Sequence, residues 1–274
     1  MKRSIVFIAL MALLTTGCHR KAKEFSTQTV SGGLRWLQVF EEPFLFDEDT
    51  LGVEVTYSLE WPKKGVLSSA AERELLYLCF GDSSTTDVKS AVQKWLATPF
   101  FYEDEEATLQ PVKSLGEELG TSLLELEGTW QRDCNLATFC VTTEMTPYGA
   151  AHGIYSANYL TVDLESGKAV HLADLVTDTN LLCEAIAHAI QDLQINSGIQ
   201  DCLFDEYRDV ERMPLPRDFT IDSARNGITV YYGLYEIAPY ACGIQEVTLP
   251  IFWLSKHVPL TPYAKRLFGP GCSL

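Results

Sequence analysis

The sequence predicts an α+β fold in which a largely antiparallel sheet is packed by helices on one face. Segments in which apolar and polar residues alternate come in groups, and single segments with helical periodicity separate the groups instead of forming regular βαβ units. No period of about 20 to 50 residues repeats, which disfavours solenoids and propellers. Hydrophobic residues make up 46% of the chain, so a sizeable core is expected.

The first half of the fold is predicted to hold strands at both ends and short helices between them. The helix that begins at Ser69 has capping-box spacing to Glu72 and ends at Gly81. Recurring leucines between residues 115 and 126 favour a further helix, although the glycines among them oppose it. In order, the predicted segments are strands at 34–46 and 53–59, helices at 69–80 and 88–96, an acidic loop at 100–110, the leucine-containing helix at 115–126 and a strand at 134–145.

The second half is predicted to consist of strands around one long helix. Residues 165–168 (ESGK) have the chemistry of a hairpin turn. From Thr179 the apolar residues recur with helical period as far as Asn196. In order, the predicted segments are a strand at 159–164, the turn, a short strand at 170–172, the helix, a charged connector at 201–216, and a strand pair at 228–232 and 247–251 joined by residues 233–243.

The N-terminus has the pattern of a bacterial export signal. Lys2 and Arg3 precede an uncharged apolar run over residues 5–14, and Gly17 stands directly before Cys18. The run is about half of the ~20 residues needed to cross a membrane, which disfavours a permanent transmembrane helix. A small residue before a cysteine resembles a lipobox, so Cys18 is the predicted lipidation site. An ordinary cleaved signal is the alternative.

This N-terminal pattern also defines the predicted domains and the compartment. We expect a lipoprotein signal peptide at 1–17, a lipidated tether at 18–33 and an α+β domain at 34–274. Two interlocked subdomains at about 34–145 and 146–274 are a further option. The mature protein is expected to be lipid-anchored in the cell envelope outside the cytoplasm, on the outer membrane or on the outer face of the cytoplasmic membrane.

The chain is strongly acidic, with 37 Asp and Glu residues against 21 Lys and Arg residues. Its formal charge of −16 becomes −18 once a leader that contains Lys2 and Arg3 is removed. Such a field repels phosphate backbones and anionic membrane surfaces, so nucleic acid is not expected as a partner. It attracts cationic groups, so a basic protein is a candidate ligand, while the lipid on Cys18 makes the membrane the predicted anchor.

Of the 8 cysteines, seven remain once Cys18 is lipidated, and an odd number cannot all pair. No C-x-x-C pair occurs, which disfavours thioredoxin-like and structural zinc sites. Cys79 and Cys183 lie on apolar faces of predicted helices and are expected to be small buried hydrophobes. The pairings left open are Cys134 with Cys140, and Cys202 with either Cys242 or Cys272.

Two stretches of the chain resemble a known family. The first is 149–153 (GAAHG) with 158–168 (NYLTVDLESGK) and 172–175 (LADL), and the second is 235–243 (YEIAPYACG) with 246–247 (EV) and 249–250 (LP). Both are similar to the RsiV-like group of extracytoplasmic domains of unknown function, the domain-of-unknown-function 3298 group with its usual preceding partner domain. Such domains form the outer part of lysozyme-sensing anti-sigma factors and accompany some peptidoglycan deacetylases. The resemblance covers most of residues 50–258 and implies fold and compartment rather than activity.

The same two stretches supply the candidate ligand-binding residues His152, Tyr235, Glu236 and Tyr240. The two tyrosines would form an aromatic platform for a sugar or a peptide, and Glu236 would hold a cation if it is exposed. The structural alternative is that His152 holds its loop by hydrogen bonds and that the tyrosines close the end of the sheet.

Enzyme and metal signatures are weak. Residues 81–84 (GDSS) resemble the nucleophile block of GDS-type esterases, but the partner histidine block is missing, so we interpret them as a helix stop and the cap of the next helix. His188 and Asp192 stand at i, i+4 on one predicted helix without a third ligand, and the acidic run 103–106 lacks calcium-loop spacing. We therefore expect no catalytic residues, no cofactor and no metal site.

Three functions follow from these observations. The favoured hypothesis is a non-catalytic envelope lipoprotein that binds a protein or glycan ligand, including a basic protein such as lysozyme. The second is a hydrolase acting on cell-wall or surface glycans. The third is a structural component of the envelope with no soluble ligand.

Overall fold

The computed structural model describes residues 37–48, 51–82, 84–96, 110–111, 121–133, 135–147, 149–197, 202–222 and 227–268. The leader, the tether with Cys18, the acidic loop, Cys134 and Cys272 lie outside the described residues. Predictions that concern these residues alone therefore stay predictions.

Seven strands form a large sheet in the order β3-β1-β2-β4-β5-β6-β7. Neighbouring strands are antiparallel except β2 and β4, which run parallel, so the sheet is largely antiparallel as predicted. The strands are β1 Leu37–Glu48, β2 Leu51–Pro62, β3 Gln110–Pro111, β4 Thr121–Asp133, β5 Leu136–Thr146, β6 Ile154–Asp163 and β7 Lys168–Val170.

Two helices, α1 (Ser69–Phe80) and α2 (Val88–Leu96), pack on one face of the large sheet. Helix α1 begins after Ser68, whose hydroxyl accepts a hydrogen bond from Ala71 N–H, and it ends at Gly81 with φ +67°. The capping residue is therefore Ser68, one position before the Ser69 that the capping-box spacing predicted. The first core lies between these helices and the sheet, and its fully buried side chains include Leu59, Leu75, Leu76 and Phe139.

A second, smaller sheet has the order β10-β9-β8, with β8 Asp218–Asp222, β9 Gly227–Tyr232 and β10 Gln245–Pro250. Its apolar face belongs to a second core that also contains α3 (Leu172–Leu175), α4 (Thr179–Ser197), α5 (Ile251–His257) and α6 (Pro262–Leu267). The charged connector before β8 contains two short 3₁₀ turns, Asp205–Tyr207 and Val210–Arg212.

The two sheets meet where β8 lies beside β6. A carboxylate oxygen of Asp218 accepts a hydrogen bond from Tyr159 N–H at 2.6 Å, and the Thr161 hydroxyl donates to Phe219 O at 3.4 Å. The rings of Tyr159 and Tyr231 stack with centroids 4.3 Å apart. This junction fixes the start of β6 relative to the loop that follows β9.

The predicted helix at 115–126 is wrong within the described residues, because residues 121–126 belong to strand β4. Leu124 and Leu126 are buried while Leu123 and Glu125 are exposed, which is the alternation of a strand with one covered face. Parallel pairing with β2, distant in sequence, overrides the weak leucine periodicity.

Other differences from the prediction are smaller. Ile251 begins helix α5 instead of ending the last strand, and strand β8 and helices α3, α5 and α6 were not predicted. The α+β class is confirmed. Among the described residues, no helix has the length and apolar character that a membrane crossing requires.

Candidate functional site

Three aromatic rings from two distant segments lie in contact at one end of the fold. His152 stacks on Tyr240 with centroids 4.4 Å apart and an interplanar angle of 18°. The ring of Tyr235 lies beside that of Tyr240, with the two centroids 5.9 Å apart. We call these three side chains the ring platform. Its segments are the loop before β6 and the loop between β9 and β10, which the junction of the two sheets brings together.

Tyr235 is held in an unfavourable backbone conformation. It is the only non-glycine residue with positive φ (+64°) in the part of the chain that the structure describes. It occupies the third position of a tight turn closed by Glu236 N–H donating to Gly233 O at 3.2 Å, a position that ordinarily favours glycine or asparagine. A bulky side chain there costs about 1–2 kcal/mol. Tyr235 as a residue is nevertheless 59% exposed, so burial of its side chain does not account for the strain.

The loop that carries Tyr235 and Tyr240 is braced from beneath. Ile237 and Ala238 between them are buried in the second core. Ile237 O accepts a hydrogen bond from Phe204 N–H at 2.9 Å. Cys242, two residues after Tyr240, forms a disulfide with Cys202 of the connector. Such bracing fixes the position of the ring platform relative to the second core.

Glu236 contributes negative charge beside the rings. Glu236 is exposed, and one of its carboxylate oxygens accepts a hydrogen bond from Gly233 N–H at 2.8 Å. Partial burial of the carboxyl raises its pKa, and the charge of Asp218 acts in the same direction, whereas the Gly233 bond and Arg217 oppose the rise. Glu206 raises the pKa of Tyr207, and the charge of Glu236 acts in the same direction on that hydroxyl, so Glu206 is a second carboxylate near this end of the fold.

Further apolar surface adjoins the platform at the start of β6. Ile154 is 45% exposed and Tyr155 is 42% exposed, directly after Gly153. The charges of Glu127 and Glu144 act on the Tyr155 hydroxyl, whose pKa is raised mainly by burial. Sequence reasoning missed both residues, and the signal that would have found them is a pair of bulky residues next to the predicted loop histidine.

Some contacts predicted by the structural alternative are also present. The His152 ring nitrogen Nδ1 lies 3.0 Å from Gly153 O, and the Tyr240 hydroxyl donates to the same oxygen at 3.0 Å. His152 and Tyr240 thus tie the two loops together. Tyr235 and Glu236 complete the set, so the structure brings all four candidate residues to one place.

The weak enzyme and metal signatures are dispersed. Gly81 ends α1, and the Asp82 carboxylate pairs with Lys94 at 2.6 Å, which helps to hold the pKa of Asp82 at about 2. His188 and Asp192 are exposed on α4. Among the described residues, no three His, Cys, Asp or Glu side chains are grouped so that they could hold a metal ion.

Cysteine pairing follows one of the alternatives left open. Cys202 pairs with Cys242 at a Cα separation of 5.9 Å. Cys140 is free and lies opposite Tyr159 on the neighbouring strand, so pairing of Cys134 with Cys140 is wrong. Cys79 is buried as expected, whereas Cys183 is only partly buried.

Comparison with known proteins shows the relationship of this fold. Residues 173–251 match the family model described as "Protein of unknown function (DUF3298)". A crystal structure of a DUF3298 family member from Bacteroides fragilis NCTC 9343 is similar at 19% identity and a TM-score of 0.53, covering 83% of this chain and 96% of that one. A DUF3298 family protein from Pseudomonas aeruginosa PAO1 is similar at 15% identity and a TM-score of 0.51, covering 83% of this chain and 95% of that one. No curated protein matches the chain. These likenesses show a shared fold, and the matched segment contains Tyr235, Glu236 and Tyr240.

Proposed function

We propose that this chain is a cell-envelope lipoprotein whose outer domain binds a protein or glycan ligand at the ring platform without catalysing a reaction. The observation that carries the proposal is Tyr235, an exposed ring held at φ +64° on a braced loop. Strained residues of this kind cluster at ligand-binding sites, because function rather than stability retains them. The exposed rings and the neighbouring carboxylate offer a surface for recognition.

A basic protein, such as lysozyme, is the ligand that the local chemistry favours. The exposed ring of Tyr235, with Tyr240 beside it, attracts a lysine or arginine side chain through cation–π interaction. Glu236 adds a charge partner, and the acidic chain steers cationic partners towards the domain. Stacking of a sugar ring on the same tyrosines is the glycan version of the proposal.

Calorimetric titration with lysozyme as the probe tests the protein version. Tyr235→Ala should weaken binding about tenfold or more, as expected for a central aromatic contact. Tyr77→Ala is the matched control, because Tyr77 is comparably exposed, at 50%. It should leave the affinity unchanged, because Tyr77 lies on helix α1, outside the ring platform. Affinity should also fall as salt rises, because the Debye length shortens.

The same titration with soluble peptidoglycan fragments tests the glycan version, in which salt has little effect. If neither probe binds, or if Tyr77→Ala and Tyr235→Ala weaken binding equally, the ring platform is not the binding site. Hydrolysis of peptidoglycan that is lost on changing His152 or Glu236 would replace the proposal with the hydrolase. Stable co-purification with envelope proteins, unaffected by Tyr235→Ala, would favour the structural component.

The anchored location is supported by two features of the chain. The first is the leader pattern that ends at Cys18. The second is the Cys202–Cys242 disulfide, which is typical of an oxidising compartment. Labelled palmitate should enter the wild-type chain and not Cys18→Ser, and the serine variant should lose lipid-dependent membrane retention. Equal retention of both chains without label would remove the anchor from the proposal.

A further inference from the structure

The C-terminal helices differ in charge from the rest of this acidic protein. Residues 247–274 contain no Asp or Glu. Phe252 on α5 is 68% exposed, and Lys256 Nζ lies 3.8 Å from the centroid of its ring. Lys265 and Arg266 are exposed on the next helix, α6. We call Phe252, Lys256, Lys265 and Arg266 the basic end.

The carboxylates beside the basic end are already engaged. Asp163 accepts a hydrogen bond from the Tyr263 hydroxyl at 3.1 Å and another from Glu165 N–H at 2.9 Å. Asp174 accepts one from His171 N–H at 2.9 Å. Both carboxylates act on Tyr263, and burial raises the pKa of its hydroxyl. Both carboxylates therefore take part in local hydrogen bonds.

Strand topology separates the basic end from the ring platform. Tyr232 pairs with Gln245 at one end of the β9–β10 pair, and the loop 233–243 with its two tyrosines extends from that end. Gly227 pairs with Pro250 at the other end, where α5 begins. At about 3.4 Å per residue, this strand pair alone holds the two surfaces about 17 Å apart.

Leu37, the first described residue, lies at the end of the large sheet that adjoins α6. Leu59 aligns across β4 and β5 with Asn158 of β6. Leu37, the first residue of β1, pairs with Pro62 and so lies three residues further along, towards Asp163, which Tyr263 of α6 contacts. The platform residue His152 precedes the opposite end of β6. The point where the tether joins the sheet and the basic end thus share one end of the molecule.

We propose that the basic end is a membrane-contact surface for the anionic headgroups of a phospholipid bilayer. An exposed ring beside lysine and arginine side chains is the composition of interfacial contacts, in which the ring enters the headgroup region and the stems of the cations lie along it. The overall acidic charge opposes this contact only weakly, because screening limits charge effects to about 8 Å at physiological salt. Orientation of the platform away from the membrane rests on the anchor proposed above, whereas contact with lipid does not.

Vesicle sedimentation tests the contact without the anchor. The chain from position 18 onward, carrying Cys18→Ser so that it has no acyl group, should bind phosphatidylglycerol-containing vesicles and not pure phosphatidylcholine vesicles. Each lysine or arginine near an anionic surface contributes about fivefold in partitioning, so the triple variant Lys256→Gln, Lys265→Gln, Arg266→Gln should bind at least about tenfold more weakly. Its matched control is Lys89→Gln, Arg208→Gln, Arg212→Gln, which removes three exposed charges outside the basic end, two of them on the connector that the disulfide joins to the ring loop.

The contribution of the aromatic ring has its own matched pair. Phe252→Ser should weaken vesicle binding about tenfold, because the ring can no longer leave water. Ile195→Ser changes an equally exposed residue, at 68%, on α4 and should have no effect. Binding that is independent of lipid charge, or equal losses in test and control variants, would overturn the proposal.

Hydrogen exchange of the lipidated full chain on phosphatidylglycerol vesicles tests the orientation. Residues 251–268 should gain protection from lipid, and residues 233–243 should not. Protection of both segments, or of the ring loop alone, would refute the orientation. Sedimentation and exchange require no protein or glycan ligand, so failure of the ring platform to bind lysozyme leaves this proposal separately testable.

Discussion

Replacing Tyr235 by alanine or by glycine should separate the strain at this position from the contact made by the ring. Either change removes the contact between the rings of residues 235 and 240, whose centroids are 5.9 Å apart. Loss of this contact should lower the free energy of unfolding by about 0.5 kcal/mol. Alanine keeps the strain of φ +64°, whereas glycine relieves about 1–2 kcal/mol of it. About 0.5–1 kcal/mol of this gain is lost again, because glycine gives the unfolded chain more conformational freedom to lose on folding. Tyr235→Gly should therefore be more stable than Tyr235→Ala by about 1 kcal/mol.

Urea unfolding of the two variants beside the wild type measures this difference. In thermal unfolding of a domain of this size, a difference of about 1 kcal/mol corresponds to a shift of about 2–4 °C in Tm. Both variants should lose binding at the platform, so that the more stable of them is no better as a receptor. If Tyr235→Gly is instead less stable than Tyr235→Ala, the left-handed turn is not strained. The argument that function retains the tyrosine would then fail.

Three other predictions concern the elements that hold the platform in place. Reducing the Cys202–Cys242 disulfide, which spans a sequence separation of 40, should lower the free energy of unfolding by up to about 4 kcal/mol in urea, whereas Cys183→Ala should cost far less. Gly128→Ala should destabilise the large sheet by about 1–3 kcal/mol in the same assay, because the added Cβ collides with the Phe139 ring. Burial raises the pKa of Asp218 above its usual 3.8, so its contribution to stability is full below pH 3.8 and is lost as pH rises through the folded-state pKa. Asp218→Asn should therefore make stability flatter with pH from about 4 upward, and an unchanged pH profile would contradict this cause.

Sequence pattern predicted the elements whose two faces differ clearly. In β10, Val247 and Leu249 are buried and alternate with the less buried Glu246, Thr248 and Pro250. Helix α4 extends one residue beyond its predicted end. Local alternation is enough in such segments, because one face is covered by a single core.

Long-range pairing decided the elements that pattern missed. Strand β4 pairs in parallel with β2, about 70 residues earlier, and no local signal marks such a partner. Strand β8 is five residues long and begins with Asp218. In sequence an aspartate at this position favours a connector, whereas in the structure the residue is buried. Its partner is the Tyr159 N–H on β6, which only the fold brings near.

The candidate site was predictable in composition but not in geometry. Family resemblance singled out His152, Tyr235, Glu236 and Tyr240, and the structure brings them together. Positive φ at Tyr235 has no sequence signature, since turns of this kind ordinarily carry glycine or asparagine. The choice of Cys242 as partner of Cys202 likewise depends on the position of the connector against the ring loop.

The most direct test of the ring platform is an NMR titration of the chain, with tyrosine rings labelled, against lysozyme or soluble peptidoglycan fragments. We expect the ring signals of Tyr235 and Tyr240 to shift with one of these ligands at saturation, while those of Tyr77 and the buried Tyr232 stay in place. Saturable binding that shifts Tyr77 and leaves both platform tyrosines unmoved would contradict the account.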